Sequence, residues 1–250
     1  KLDLEEIKPS SRRYPALIFD QEREAGDQIL NIEQLSLSQD GSSLFKNVNL
    51  NLAKGDKVIV HSKDTRAIEA FYDILMGECK ATSGNISWGV TTSQAYLPVD
   101  HDAFFESPVS LVDWLRQYAK TEEEREEVFL RGFLGKMLFS GEEALKMSNV
   151  LSGGEKVRCM LSKMMMERAN VLVLNEPTNH LDLESITAFN NSLKNFKGTL
   201  LCSTSDHAFA QTLGNRIIEL TPNGMIDRHM TFDEYMTDPK IKELREKMYQ

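Results

Sequence analysis

Several features are scarce in this sequence of 250 residues, and each scarcity argues against a class of protein. The three cysteines, Cys79, Cys159 and Cys202, are far apart and form no CxxC or Cys/His pattern, so neither a disulfide framework nor a metal site is predicted. No apolar stretch approaches ~18 residues without a charge, so no membrane-spanning segment is predicted. Lysine and arginine total 29 against 38 acidic residues, which disfavours a broad surface for nucleic acid.

The remaining composition is that of an ordinary globular protein, with 41% hydrophobic and 27% charged residues. The length suits one large domain or two small ones. Reduced cysteines and the lack of a signal peptide predict a cytoplasmic protein. The chain begins with Lys1 rather than Met, which suggests a fragment of a longer protein. A basic group at Lys8, Arg12 and Arg13 is interpreted as a solvated linker end or, alternatively, a contact site.

Hydrophobic periodicity predicts an α/β fold. Residues 29–37 and 44–52 alternate apolar and polar side chains, which is typical of strands with one buried face. Short apolar runs predict strands buried on both faces at 58–60, 171–174 and 199–202. Strands of this kind that alternate with helices indicate a parallel sheet.

Helices and turns complete this prediction. A helix is expected over 66–76, ended by Gly77, and residues 108–167 are mostly helical in pattern. The acidic run 122–127 predicts an exposed helix face, with Val128, Leu130, Phe133 and Leu134 pointing inward. Residues 217–227 read as a hairpin with an Asn223-Gly224 turn.

Two sequence motifs follow one another about 20 residues apart. Residues 151–155 read Leu-Ser-Gly-Gly-Glu, and residues 171–182 read Val-Leu-Val-Leu-Asn-Glu-Pro-Thr-Asn-His-Leu-Asp. Alone, the first is often a helix N-cap and the second a core strand. Together they resemble the signature and Walker B motifs of ATP-binding cassettes, and the ending Glu-Pro-Thr-Asn-His-Leu-Asp is the form typical of the ABC-F family. Over the whole chain the similarity is to the second cassette of the YbiT-like branch of the ABC-F family. That family consists of cytosolic twin-cassette proteins that act on the ribosome.

The resemblance covers nearly the whole chain and implies its organisation. It implies the C-terminal cassette of an ABC-F-like protein, with a P-loop NTPase core, an antiparallel β subdomain and an inserted helical subdomain. Residues 1–26 would end the interdomain linker, 27–237 would form the nucleotide-binding domain with its helical subdomain at about 108–167, and 238–250 would form a C-terminal helical tail.

The phosphate loop that this family uses is altered here. Its pattern is G-x-x-x-x-G-K-[ST], in which main-chain N–H groups and the Lys bind phosphate and the hydroxyl binds Mg²⁺. The residues at these positions are Ser62, Lys63, Asp64, Thr65, Arg66, Ala67, Ile68 and Glu69. The resemblance implies ATP and Mg²⁺, but we expect weak or absent binding at this site. One hypothesis places Glu69, or Asp64, at the helix N-terminus in place of phosphate. Drift of an unused loop is the alternative.

Other family positions that serve the domain's own nucleotide also differ. The adenine-stacking aromatic corresponds to Gln39, the glutamine that senses metal and γ-phosphate to Val99, and the Walker B aspartate to Asn175. The switch histidine corresponds to Ser205, and the nearest histidine, His207, lies two positions after it. The catalytic-base position keeps its glutamate, Glu176.

The positions that act on a partner's nucleotide are intact. They are the signature residues Leu151, Ser152, Gly153, Gly154 and Glu155, and Asp182 in the loop that crosses the interface of paired cassettes. The resemblance therefore implies a domain whose own site is inactive and which lends its signature to an N-terminal cassette of the same protein, with the ribosome as a further partner. The isolated domain is expected to be a monomer or weak dimer. A non-catalytic binding module is the alternative, and a transporter ATPase subunit is disfavoured.

Overall fold

A six-stranded sheet forms the centre of the fold. The computed structural model describes residues 13–250. Five parallel strands and one antiparallel edge strand follow the order β5-β6-β7-β3-β8-β9. A second, antiparallel sheet has the order β2-β1-β4. The strands are β1 Gln28–Gln39, β2 Ser42–Ala53, β3 Lys57–His61, β4 Ser83–Trp88, β5 Gln94–Leu97, β6 Val171–Asn175, β7 Thr199–Ser203, β8 Arg216–Thr221 and β9 Gly224–Arg228.

Nine α-helices accompany these sheets within residues 13–250. Four of them, α2 to α5, form the predicted helical section between β5 and β6. The helices are α1 Thr65–Leu75, α2 Leu111–Arg116, α3 Glu122–Arg125, α4 Glu127–Lys136, α5 Gly153–Glu167, α6 Leu183–Asn195, α7 His207–Leu213, α8 Phe232–Thr237 and α9 Pro239–Met248. Gly77, with φ of +79°, follows α1 as expected.

Two hydrophobic cores lie on opposite faces of the central sheet. Successive strand residues point to opposite faces, so β6 sends Leu172 and Leu174 into one core and Val171 and Val173 into the other. The first core includes the helical section, and the second includes α1 and the antiparallel sheet. This double burial explains why the short apolar runs predicted parallel strands correctly. The α/β architecture is confirmed.

One local prediction was wrong. Val128 was expected to point inward, but it is 83% exposed. Leu130 and Leu134 are buried as predicted, and Val128 lies two residues before Leu130, about 200° around α4, so it faces the opposite side. The backbone of Glu126 is extended and separates α3 from α4. The predicted hairpin is present: Thr221 pairs with Gly224, and Pro222 and Asn223 are its two loop residues.

The segment before β1 contacts the first core. Leu17 and Phe19 are buried, and the ring of Phe19 lies 6.0 Å from that of Phe189 in α6. The main-chain N–H of Ala16 donates to the carbonyl of Lys136. Part of the predicted linker therefore packs on the domain, while Lys8 and Arg12 lie outside the described residues. The proposed boundary at residue 26 stays a prediction.

Candidate functional site

The connection between β3 and α1 is short. Only Ser62, Lys63 and Asp64 separate the two elements, because α1 begins at Thr65. The phosphate-loop pattern spans eight residues, and here its last five lie within the helix. Ala67 and Ile68, at the second glycine and lysine positions, are buried against the second core.

A carboxylate caps this helix, but it is not Glu69. The Asp64 side chain accepts a hydrogen bond of 3.0 Å from the main-chain N–H of Arg66 and pairs with the Arg66 guanidinium. The hydrogen bond from the Arg66 side chain lowers the pKa of Asp64. Glu69 is exposed in the second turn, so of the two carboxylates that the hypothesis named, Asp64 and not Glu69 lies at the helix N-terminus. The helix starts earlier than the sequence indicated because Asp64 can cap it.

The polar groups of the short loop are bound within the chain. Buried Ser62 donates from Oγ to the carbonyl of Leu220 (2.8 Å) and accepts from the N–H of Asp64. The main-chain N–H of Lys63 donates to the Tyr249 hydroxyl at 2.9 Å. The Lys63 ammonium lies 4.6 Å above the Tyr249 ring. This tyrosine was not identified from the sequence.

Buried Glu219 on β8 supports the same region. It is fully buried, and its carboxylate accepts hydrogen bonds from Tyr235, Arg245 and Tyr249. The sequence carried a signal for it, since one glutamate interrupts the apolar run 217–220. A buried carboxylate requires partners, but the run does not tell which segment supplies them.

The catalytic-base position lies at the end of β6. Glu176 has φ of +50°, and its Oε2 accepts 3.0 Å hydrogen bonds from both the main-chain N–H and the hydroxyl of Ser205. The structure therefore brings the base and switch positions together. Serine cannot exchange a proton near neutral pH as an imidazole does. The ring of His207 packs on Phe232 instead, 4.8 Å between centroids.

The remaining positions for the domain's own nucleotide are placed as follows. Asn175 is buried at the end of β6. Gln39 is exposed at the end of β1, and Val99 is 44% exposed beyond β5. The amide of Gln39 does not offer the aromatic stacking surface that the family pattern has at this position. The isopropyl group of Val99 does not offer the polar ligand that the pattern has there.

The signature residues form the beginning of α5. Ser152 is the N-cap, and it exchanges hydrogen bonds with Glu155 in a capping box. Burial would raise the pKa of the Glu155 carboxyl, but hydrogen bonds from Lys146 and Ser152 hold it below its ordinary value. Leu151 is buried, and Ser152 is exposed.

Gly153 and Gly154 lie against His180 of the same chain. A Cβ on Gly154 would stand 2.6 Å from the His180 carbonyl oxygen, and one on Gly153 would stand 2.9 Å from His180 Cγ. Asp182, two residues further, caps α6 by accepting from the N–H of Ser185 at 2.8 Å. Hydrogen bonding from Ser185, chiefly from its side chain and also from its main-chain N–H, lowers the pKa of Asp182. Each retained residue thus has a contact within this chain.

Neither a metal cluster nor a membrane-spanning helix is present among residues 13–250. No group of three or more His, Cys, Asp or Glu side chains is arranged to hold a metal ion there. In the same residues, no helix has the length and apolar character that crossing a membrane requires. Cys159 and Cys202 are free and buried, and burial raises the pKa of both thiols. Cys79 is free and half-buried.

Comparison with known sequences places the chain among ATP-binding cassettes. The profile of a family described as "ABC transporter" matches residues 45–179, more than half of the chain. The ABC transporter ATP-binding protein YkpA of Bacillus subtilis is 52% identical over 250 residues, which are all of this chain and 46% of that protein. The probable ATP-binding protein YbiT of Escherichia coli is 35% identical over 242 residues, 97% of this chain and 45% of YbiT. The chain spans about half the length of these two relatives.

More distant matches agree in fold. The ABC transporter F family member 5 of Arabidopsis thaliana is 26% identical over 253 residues, 98% of this chain and 36% of that protein. Among solved structures, the ATP-binding cassette MJ0796 in a dimeric post-hydrolysis state bound to ADP and Pi matches with a TM-score of 0.66 at 17% identity. That match covers 81% of this chain and 99% of the cassette. On sequence profile and fold together, the chain belongs to the ABC transporter family of ATP-binding cassette proteins.

Proposed function

We propose that this chain is the C-terminal cassette of an ABC-F-like protein, that its own site does not hold nucleotide, and that it lends its signature to an N-terminal cassette. One observation carries the proposal. The β3–α1 connection has only three residues outside the helix, and its Lys63 N–H already donates to Tyr249. In the same domain, the start of α5 keeps the intact signature, and Ser152 there is exposed.

The residues of the β3–α1 connection do not fit a triphosphate with Mg²⁺. The family's lysine position is the buried, apolar Ile68, and the hydroxyl position is the exposed carboxylate Glu69. A hydrogen bond to a charged group is worth about 1.5–3 kcal/mol, so the missing lysine alone costs roughly ten- to a hundredfold in affinity. Asn175 in place of the Walker B aspartate removes a further charge near the metal.

The start of α5 suits a phosphate on a partner cassette. The first N–H groups of a helix have no acceptor within it, and the helix dipole favours an anion there. In α5 these groups belong to Gly153 and Gly154, next to exposed Ser152. ATP and Mg²⁺ would then be held by the N-terminal cassette, and this domain would complete that site. A cytoplasmic, ribosome-associated role is a further part of the proposal, and it rests on the resemblance of the motifs at 151–155 and 171–182 to the ABC-F family.

A non-catalytic binding module is the second candidate. It is favoured by the contacts that retained signature residues make within this chain, because those contacts keep Gly154 and Asp182 useful for folding without a partner's nucleotide. In that case neither site of the paired cassettes would turn over.

A variant pair at Ser152 separates the candidates. Both Asp and Asn cap helices as well as Ser, so Ser152→Asp and Ser152→Asn keep α5 capped, but only Asp adds a charge that faces phosphate. In the two-cassette protein, we expect Ser152→Asp to lower steady-state phosphate release by ~10², and Ser152→Asn to lower it much less. Glu176→Gln should have little effect, because Glu176 serves the inactive site.

The outcomes distinguish three cases. Loss of activity in Glu176→Gln with normal activity in Ser152→Asp would mean that the two sites are assigned the wrong way round. No phosphate release by the wild type would favour the binding module. Equal activity in all four proteins would contradict a role for the signature.

A further inference from the structure

Helix α9 and its C-cap residue, Tyr249, lie against the short loop between β3 and α1. Tyr249 joins the loop to buried Glu219, since its hydroxyl accepts from the Lys63 N–H and donates to Glu219 Oε2 at 2.6 Å. A second contact comes from the loop between β8 and β9, where the Asn223 side-chain amide donates to the carbonyls of Met248 and Gln250, each at 2.8 Å.

The Glu219 carboxylate explains why α9 docks here. It is fully buried, and an unpartnered buried carboxylate is strongly unfavourable. Its Oε1 accepts from Tyr235 of α8 at 2.7 Å and from Arg245 of α9 at 2.6 Å. Arg245 also approaches His61 Nε2, at 3.4 Å. Two of the three donors on Glu219 therefore come from α9 and Tyr249.

The Tyr249 hydroxyl is suited to be both donor and acceptor. Burial is the main cause that raises the pKa of Tyr249, so the phenol stays protonated at neutral pH. Its proton is directed to Glu219, which leaves an oxygen lone pair for the Lys63 N–H. In a phosphate loop, main-chain N–H groups of the loop and of the following helix start bind phosphate oxygens. Here Asp64 accepts from the N–H of Arg66 at the helix start, and the N–H of Lys63, in the loop before Asp64, donates to Tyr249.

We propose that Tyr249 is the resident occupant of the shortened loop, where its hydroxyl oxygen takes the main-chain N–H that a bound anion would otherwise take. The inference rests on the proposed function, since it assigns an occupant to a site that the proposal leaves without nucleotide. The ring adds to this by covering the Lys63 ammonium, the one cationic side chain among residues 62–64. The loop is thereby satisfied by a segment of its own chain.

Amide hydrogen exchange at Lys63, read by NMR, tests the proposal. In the wild type the Lys63 N–H should be protected, and Tyr249→Phe should speed its exchange by roughly tenfold, because that variant removes the acceptor and keeps the ring. Tyr14→Phe is the matched control, since Tyr14 is 55% exposed, and it should leave Lys63 unchanged. Rapid exchange of Lys63 in the wild type would overturn the proposal whatever the variant does. Unchanged exchange in Tyr249→Phe would overturn it too.

Inorganic phosphate tests whether the hydroxyl stands in for an anion. In millimolar phosphate we expect protection of Lys63 to recover in Tyr249→Ala, which removes the ring as well as the acceptor, and to stay constant in the wild type. No response in the variant, or an equal response in both proteins, would overturn the inference. Titration of the wild type with Mg-ATP separates failure of this inference from failure of the proposed function. Tight ATP binding by the wild type would mean that the proposed function is wrong, whereas failure of the inference about Tyr249 alone leaves ATP binding weak.

Discussion

Adding a methyl group to each signature glycine should give two different results. A Cβ on Gly154 would lie 2.6 Å from a main-chain oxygen, which cannot move without the backbone of His180. A Cβ on Gly153 would meet the His180 ring atom Cγ at 2.9 Å, and this exposed imidazole can rotate away. We therefore expect Gly154→Ala to destabilise the domain and Gly153→Ala to be nearly neutral.

The magnitude follows from two opposing effects. Forcing an extra methyl group into a filled space costs about 1–3 kcal/mol. Replacing glycine by alanine in a helix gains up to about 1 kcal/mol. The net change for Gly154→Ala should be a loss of about 1–2 kcal/mol in the free energy of unfolding. Gly132→Ala in α4 is the control, because nothing lies within 4 Å of its Cβ position, and it should not destabilise.

Urea unfolding of the single variants, and of each combined with His180→Gly, is the assay. Glycine suits the φ of +65° at position 180, and it removes the side chain while leaving the carbonyl. The mutant cycles should therefore give little coupling energy for either glycine, because Gly153→Ala is already nearly neutral and the loss in Gly154→Ala persists while the His180 carbonyl remains. Equal stability of the two single variants, or rescue of Gly154→Ala, would refute the argument from His180.

Two further predictions concern the Glu219 region. Burial lowers the pKa of His61, although Glu219 opposes this, so the unfolded chain binds more protons and stability should fall as pH falls through about 6.5 and below. The fall should be smaller in His61→Gln, measured by urea unfolding between pH 5 and about 8. Glu219→Ala leaves buried donors unpaired and should cost about 3–5 kcal/mol, whereas exposed Glu69→Ala should change stability by under about 0.5 kcal/mol. Similar losses in both glutamate variants would contradict the burial argument.

The sequence predicted most of the central sheet for a clear physical reason. Buried parallel strands need apolar side chains on both faces, so runs such as 171–174 identify themselves. The helical section was less predictable. The break at Glu126 depends on one extended residue in an acidic run, and no periodicity signals it. Val128 was misplaced for a different reason, because it lies two residues from buried Leu130 and positions i and i+2 do not share a helix face.

For the candidate site, the sequence predicted which residue types occupy the family positions but not which residues contact them. The missing glycines of the loop are visible in the sequence, but the start of α1 at Thr65 depends on how Asp64 caps the helix. The docking of Tyr249 depends on a contact between residues 186 positions apart. Local patterns do not reach that far, and the lone charge of Glu219 was the only trace of it.

The structure adds a second explanation for the intact signature to the one that the sequence indicated. Intact signature residues beside altered loop residues favoured a role for a partner's nucleotide. The structure adds a role within the chain for Ser152, for Gly154 and for Asp182. Retention of these residues therefore has two sufficient causes, and the Ser152 variant pair is designed to separate them.

Isothermal titration of this chain with Mg-ATP tests the central claim most directly. The loop at residues 62–64 is short, its Lys63 N–H is bound to Tyr249, and the lysine position is apolar. We predict no saturable binding below about 1 mM, which corresponds to a binding free energy weaker than about −4 kcal/mol. A dissociation constant in the micromolar range would contradict the account.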